Sequence, residues 1–336
     1  MAALPNREFR NRDIVLIGGS SGSYDVLRTV FSALPATLRA SLFIVVHRPA
    51  STPEYLSQIL ASDSQLPVTT ARDGEAFETG KAYIAPPDHH LLLRADGHIL
   101  LGHGPRENMA RPAIDPLFRS GAAGFGPRVI AVILSGLLDD GASGLAAVKR
   151  CGGVAVVQDP LEAIEAEMPL SALRNAEVDY KAPAAQLSST LAALTQEVAG
   201  PWSHPPADIA LEVKIAAGMY VNTSTIEPIA DPAPLSCPDC GGALSEIKGH
   251  LPLRYRCQIG HAYTAKFLDV EQKRRLEEAL AIAMRTLEER ATLNTRMARD
   301  ATARGNAGQA RNLEERAREY HERAETVRHA MLVAAE

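Results

Sequence analysis

Ser20 sits in the run Ile14-Val-Leu-Ile-Gly-Gly-Ser20-Ser-Gly22-Ser, where a strand-like stretch gives way to a glycine-rich turn and then to helical spacing. A strand–turn–helix of this kind does one of two jobs. Its backbone N–H groups cradle a phosphate at the helix N-terminus, or they act as oxyanion donors beside a nucleophile presented on the turn. The dinucleotide fingerprint G-x-G-x-x-G fails because its second glycine would have to be Ser20, and no acidic residue closes the second strand to hold a ribose. That strand, Leu42 to His47, ends in the kind of base a serine nucleophile needs. Taken singly, Ser20 reads as a helix cap and His47 as a structural residue. Together, at the carboxyl ends of two adjacent parallel strands, they read as a reactive pair, since open α/β sheets bind ligands at that edge.

A third strand, Val129 to Ser135, runs into Gly136-Leu-Leu-Asp139-Asp140-Gly141. One of the two aspartates can orient the imidazole and stabilise its protonated form, while the other complements the dipole of the following helix. The residues alone leave that choice open. The chain order Ser, His, Asp differs from the Ser, Asp, His order of α/β-hydrolases and the His, Asp, Ser order of trypsin-like proteases.

A second chemistry lies near the C-terminus. Cys237-Pro-Asp-Cys240 and, sixteen residues on, Cys257-Gln-Ile-Gly-His261 form C-x2-C and C-x3-H pairs, each able to clamp one side of a tetrahedral ion. The glycines after Cys240 permit the positive φ of such a knuckle. Four ligands leave no open position, so the expected metal is a structural zinc in a zinc-ribbon-like unit, and the serine chemistry needs no cofactor. His250 is a competitor for the fourth position, and Cys151 reads as a small buried hydrophobe.

The elements that must position these residues follow from the patterning. Near-continuous apolar runs at Ile14–Gly18, Leu42–His47, Val129–Ser135 and Val154–Gln158 fit strands covered on both faces. Helical spacing follows at Tyr24–Leu34, Pro53–Ser62, Gly141–Cys151 and Pro169–Ala176. This alternation predicts an α/β fold with a doubly wound, mainly parallel sheet flanked by helices. KAYIAPPDHHLLLRADGHILLGH reads as an antiparallel excursion turning at Ala95-Asp96-Gly97. Residues 1–198 are expected to form the catalytic domain and 199–233, rich in proline, a linker with one docked segment around Ile209 to Met219. Residues 234–264 form the ribbon. Residues 265–336 form a helical hairpin or coiled-coil region, with Leu313, Ala317, Tyr320, Ala324, Val327 and Met331 along its seam and the turn near Gly305 and Gly308. Its outer face could dock a partner or a second copy of the chain.

With 336 residues, 46% hydrophobic, the chain is long enough for a substantial core and a smaller unit besides. A net charge of −5 and a pI near 6.1 give no basic excess for nucleic acid or anionic lipid. The N-terminus MAALPNREFRNRD lacks a signal-peptide core, and no apolar run is long enough to span a bilayer. A cytoplasmic protein without membrane insertion is expected.

The segments IGGSSGS, IVVHRP, GKAYIAPPDHHL, RPAIDPLF and LSGLLDDGASGL, in that order, resemble the successive motifs of the chemotaxis protein-glutamate methylesterases, the CheB-type catalytic domain, over roughly residues 12 to 195. The resemblance implies hydrolysis of glutamate γ-methyl esters on the cytoplasmic helices of methylated chemoreceptors, and in some members deamidation of receptor glutamines. It places the nucleophile on Ser20, the base on His47 and the aspartate on Asp140, with oxyanion donors at the backbone N–H groups near Ser21 and Leu137. Many members carry an N-terminal receiver domain; here the first strand begins near residue 14, which leaves no room for one, so phosphorylation control of that kind is expected to be absent. Ala110 stands where many members have histidine, and Leu137 where methionine is common. Two other readings fit the residues: the same chemistry on another cytoplasmic protein or a small ester, and a binding scaffold whose zinc and helical parts recruit partners.

Overall fold

The apolar runs become strands buried on both faces. The computed structural model describes residues 10–49, 51, 55–249 and 252–334, so His250 and the expected helix start at Pro53 lie outside the described residues. The chain divides into two units, Met1–Phe267 and Leu268–Glu336. The first begins with β1 (Ile14–Gly19), α1 (Ser23–Ala33), β2 (Ser41–Val46), α2 (Leu56–Asp63), β3 (Val68–Thr70), β4 (Ala82–Ile84), β5 (His90–Leu93), β6 (Ile99–Gly102) and α3 (Ile114–Phe125). It continues through β7 (Val129–Ile133), α4 (Ala142–Arg150), β8 (Val154–Gln158), α5 (Glu167–Asn175), β9 (Tyr180–Ala182) and α6 (Ala184–Leu194).

Seven strands form one sheet in the order β3-β4-β2-β1-β7-β8-β9, every neighbouring pair parallel. Side chains alternate across it. Val15 and Ile17 join Leu27 and Phe31 of α1, Leu60 of α2 and Leu187 of α6 on one face. Ile14 and Leu16 join Leu117 and Phe118 of α3, Leu145 of α4 and Met168 of α5 on the other. This is the doubly wound sheet that the alternation predicts. The order reverses at β1, which has β2 on one side and β7 on the other, and ligands bind at such a switch point.

The structure departs from the sequence reading in several places. Ala82–Ile84 of the expected excursion pairs parallel with β2 and β3 in the main sheet, and only β5 and β6 are antiparallel. Helix α3 was not expected. Its Pro116, Gly121 and Gly124 lower helix propensity, and Ile114 through Ala122 are all buried, the polar Asp115, Arg119 and Ser120 included. The glycine at 121 reflects close packing on the sheet, since a Cβ there would lie 2.5 Å from Leu16 Cδ1.

The proline-rich stretch 199–233 carries two helices: α7 (Ala207–Ala216), over the segment expected to dock around Ile209 to Met219, and α8 (Thr223–Ile226), where the sequence reading has only linker. Ile209 enters the main core, and Ile215, Val221 and Ile226 form a small cluster of their own. The composition misleads because the prolines flank the helix; Pro206 immediately precedes it, where a missing N–H costs nothing. Strands β10 (Ala230–Ser236), β11 (Ala243–Ile247), β12 (Arg254–Cys257) and β13 (Ala262–Thr264) then form an antiparallel four-stranded sheet in the same unit as the parallel one.

Helix α9 (Ala265–Ala303) leads into the second unit, which α10 (Ala307–Ala334) completes after a turn at Gly305, φ 77°. Ala298 and Ala301 pack on Ala310 and Leu313, and Arg290 lies 4.9 Å from the Tyr320 ring centre. No helix among the described residues is long and apolar enough to cross a membrane.

Candidate active site

Gly19 of β1 pairs with Val46 of β2, so Ser20 and His47 leave the sheet side by side, and the His47 N–H donates to Gly19 O at 3.1 Å. The Ser20 N–H donates to Ser135 O at 2.9 Å, tying the turn to the end of β7. Ser23 returns both its Oγ (2.6 Å) and its N–H (3.1 Å) to Ser20 O, whereas Ser20 Oγ takes no hydrogen-bond partner among the described residues. Of the serines on the turn, Ser23 is therefore committed to structure and Ser20 is open. Gly136 lies against it. A Cβ at 136 would stand 2.9 Å from Ser20 Cβ and 2.6 Å from Met168 Cε, so a side chain there would displace the serine.

His47 Nε2 lies 2.6 Å from Asp140 Oδ2, and Asp140 is fully buried. The same carboxylate accepts the Ile114 N–H on Oδ2 (2.6 Å), and on Oδ1 the Asn108 amide (2.9 Å) and the Asp115 N–H (3.4 Å). Burial opposes its ionisation, but the His47 bond and charge, followed by the Ile114 and Asn108 donors, hold it below the usual carboxylate range. An ionised carboxylate only accepts, so the hydrogen belongs on Nε2 and Nδ1 is the free basic nitrogen. Asp139 points elsewhere, accepting the Thr264 hydroxyl at 2.6 Å. The structure thus places Asp140, and not its neighbour, against the imidazole.

Around Ser20, the Gly136 N–H donates to Glu165 O (3.0 Å) and the Leu138 N–H to Glu167 Oε2 (2.7 Å). The Leu137 and Ser21 N–H groups have no acceptor among the described residues. These are the two groups the sequence reading names as oxyanion donors, and open N–H groups beside a nucleophile suit that role.

Sequence reasoning missed the residues that hold Asp140: Asn108, the first turn of α3, and Asp115 behind it. Burial, followed by the charge of Asp140, pushes the Asp115 carboxyl up to about 7. The Arg-Pro-Ala-Ile-Asp115 motif was visible, but its task of presenting backbone N–H groups to Asp140 leaves no mark on side-chain identity. Farther back, Glu107 and Glu212 are buried among Arg119, Arg254 and Arg256, with Arg254 Nη1 on Glu212 Oε1 at 2.7 Å and Arg256 Nη2 on Glu107 Oε1 at 3.1 Å.

The four expected metal ligands meet. The Sγ atoms of Cys237, Cys240 and Cys257 and a ring nitrogen of His261 all lie within 4.8 Å of one another. Cys240 Sγ is 3.7 Å from Cys257 Sγ, and His261 Nδ1 is 3.7 Å from Cys237 Sγ and 3.5 Å from Cys257 Sγ. Zinc–ligand bonds of about 2.3 Å in a tetrahedron give edges of about 3.8 Å, and a disulfide would need about 2.0 Å. The cluster thus has the dimensions of a tetrahedral metal site. Cys151 is a buried free thiol in the main core.

Residues 15–191 match the family described as CheB methylesterase. A relative from Leptospira interrogans, named putative protein-glutamate methylesterase/protein-glutamine glutaminase, is 37% identical over 170 residues, 51% of this chain and 88% of the relative. One from Pyrococcus abyssi, named protein-glutamate methylesterase/protein-glutamine glutaminase, is 32% identical over 192 residues, 56% of this chain and 52% of the relative. Among solved structures, the crystal structure of the Thermotoga maritima CheB methylesterase catalytic domain is similar with a TM-score of 0.53 and 34% identity, covering 54% of this chain and 98% of that one.

Proposed function

The chain belongs to the CheB methylesterase family, and from that premise we propose that it is a serine esterase hydrolysing glutamate γ-methyl esters on the cytoplasmic helices of chemoreceptors, and deamidating glutamines at such sites. The observation that carries this reading is the 2.6 Å bond from His47 Nε2 to the buried Asp140, at the strand end beside an unengaged Ser20 hydroxyl. The same features weigh against a non-catalytic scaffold.

In the proposed reaction His47 Nδ1 takes the Ser20 hydroxyl proton as Oγ attacks the ester carbonyl. The Ser21 and Leu137 N–H groups receive the developing oxyanion. His47 returns the proton to the leaving methanol, or to ammonia from an amide. Water, deprotonated by the same nitrogen, then attacks the acyl carbonyl, and His47 passes that proton to Ser20 Oγ as the acyl C–Oγ bond breaks. Asp140 remains ionised and stabilises the imidazolium. No cofactor enters these steps.

The cysteine and histidine cluster is proposed to hold a structural zinc on Cys237, Cys240, Cys257 and His261; its full ligand set leaves the ion no open position for substrate. The protein is proposed to work in the cytoplasm, where a Cys3His site is kept reduced, with the outer face of α9 and α10 free for a partner or a second copy. Methanol release from methylated chemoreceptor fragments tests the activity. The wild type should release methanol and Ser20→Ala should not, with an unchanged circular dichroism spectrum. Release by the variant at a near wild-type rate would overturn the assignment.

A further inference from the structure

Asn108 touches both the reactive centre and the ribbon. It is 4% exposed, and its Nδ2 donates to Asp140 Oδ1 at 2.9 Å and to Asp115 Oδ2 at 3.3 Å. On the other side its Oδ1 accepts the Thr264 N–H of β13 at 2.9 Å, and its own N–H donates to Ala262 O at 2.8 Å. The Ala262 N–H donates back to Arg106 O at 3.2 Å, so Glu107 is bridged in parallel to Ala262 of β13. Buried Glu107 adds its bond to Arg256 of β12.

Two physical arguments give these contacts direction. An amide side chain can turn over, exchanging oxygen and nitrogen. Here the Thr264 N–H is a donor, so the oxygen must face the ribbon and the nitrogen must face the carboxylates. The Thr264 donor and the Asp140 acceptor demand the same rotamer, so β13 reinforces the one that delivers a donor to Asp140. Asn108 and Met109, φ 50° and 60°, are the central residues of a tight turn that Glu107 and Ala110 close with reciprocal backbone bonds of 3.3 and 2.9 Å, and this turn presents Asn108 to β13. The Asn108 backbone N–H and side-chain oxygen are both engaged by β13, through Ala262 O and the Thr264 N–H.

Strand β13 in turn depends on the cluster. It starts one residue after His261, and the knuckle is closed by the Cys257 N–H on His261 O at 2.9 Å. That closure sets the register Arg256 to Ala262 and Arg254 to Thr264.

We infer that Asn108 is a positioning residue for the esterase reaction, acting through Asp140, and that β13 holds Asn108 in place, so that the Cys/His cluster is part of the active-site scaffold. This rests on the esterase reading proposed above. It extends a site judged purely structural into one on which turnover depends. Metal loss at the cluster frees β13, removes the two bonds that seat Asn108, and loosens its amide on Asp140.

The test compares the full-length wild type, Asn108→Ala and Cys240→Ser, with wild type also treated with a chelator. Metal content, methanol release and the downfield proton resonance of the His47–Asp140 hydrogen bond are measured on each. Asn108→Ala should keep its metal and its KM but lose about 10²-fold in kcat, the cost of a small misplacement in a reactive centre, and its downfield resonance should shift or broaden. Cys240→Ser and the chelated wild type should lose metal and show the same resonance change and the same fall in kcat. If Asn108→Ala does not fold, Asn108→Ser, too short to reach both carboxylates, takes its place with the same expected result. Metal-free protein with wild-type kcat and an unaltered resonance would overturn the inference, as would a folded Asn108 variant within twofold of wild-type kcat. The resonance is read without substrate, so a wild type that shows the resonance and its loss on chelation but releases no methanol would refute the esterase reading and leave the scaffold coupling standing.

Discussion

Asp140 does its work through what surrounds it. Its carboxylate collects donors from His47, from the first turn of α3 and from Asn108 while itself fully buried, so its ionised form is bound into the fold. Asp140→Asn should lower kcat by about 10³-fold or more, because an amide neither stabilises the imidazolium nor fixes the tautomer that leaves Nδ1 free. The same burial predicts a pH effect. The folded carboxyl titrates below its unfolded value of about 3.9, so its contribution to stability is complete above that pH and is lost as the pH falls through the folded value. Urea midpoints of wild type and Asp140→Asn should therefore differ more at pH 7 than at pH 3; an equal difference at both would contradict the account. The sequence offered Asp139 and Asp140 on equal terms, since a spacing of one residue says nothing about which carboxylate turns toward the imidazole and which toward Thr264.

At the scale of elements, legibility followed exposure. Strands β1, β2, β7 and β8 could be read because a strand covered on both faces has no polar alternation. The α3 and α7 helices could not. One is buried nearly all round and carries Pro116 and two glycines; the other lies in a proline-rich stretch and buries a charge, Glu212, where a core-facing helix would show an apolar residue. Glu212 makes sense only beside its partners, Arg254 and Arg256, more than forty residues away. Burial opposes its charge, but Arg254, Arg119 and Arg256 hold its carboxyl well below the usual range. Glu212→Ala leaves those guanidiniums buried and short of a counter-charge, and should destabilise the protein by about 3–5 kcal/mol in urea denaturation. A loss below about 1 kcal/mol would mean that water or rearrangement replaces the carboxylate.

At the scale of the whole molecule, the sequence separates a sheet, a ribbon and a helical region, whereas the structure joins the first two into one unit that ends at Phe267. Composition shifts mark where one kind of local structure yields to another; they carry no information on contacts across the boundary, such as that between Glu107 and Arg256. The ribbon strand bonds to Asn108 behind Asp140, so the Cys/His cluster and Ser20 lie in one unit. The proposed chemistry rests on Ser20 as the nucleophile and His47 as its base. A fluorophosphonate that labels activated serines, followed by peptide mapping, tests it most directly. One adduct per chain is expected, on Ser20, and none in a folded His47→Ala variant; labelling of Ser21 or Ser23 instead, or labelling of Ser20 undiminished without His47, would overturn the assignment.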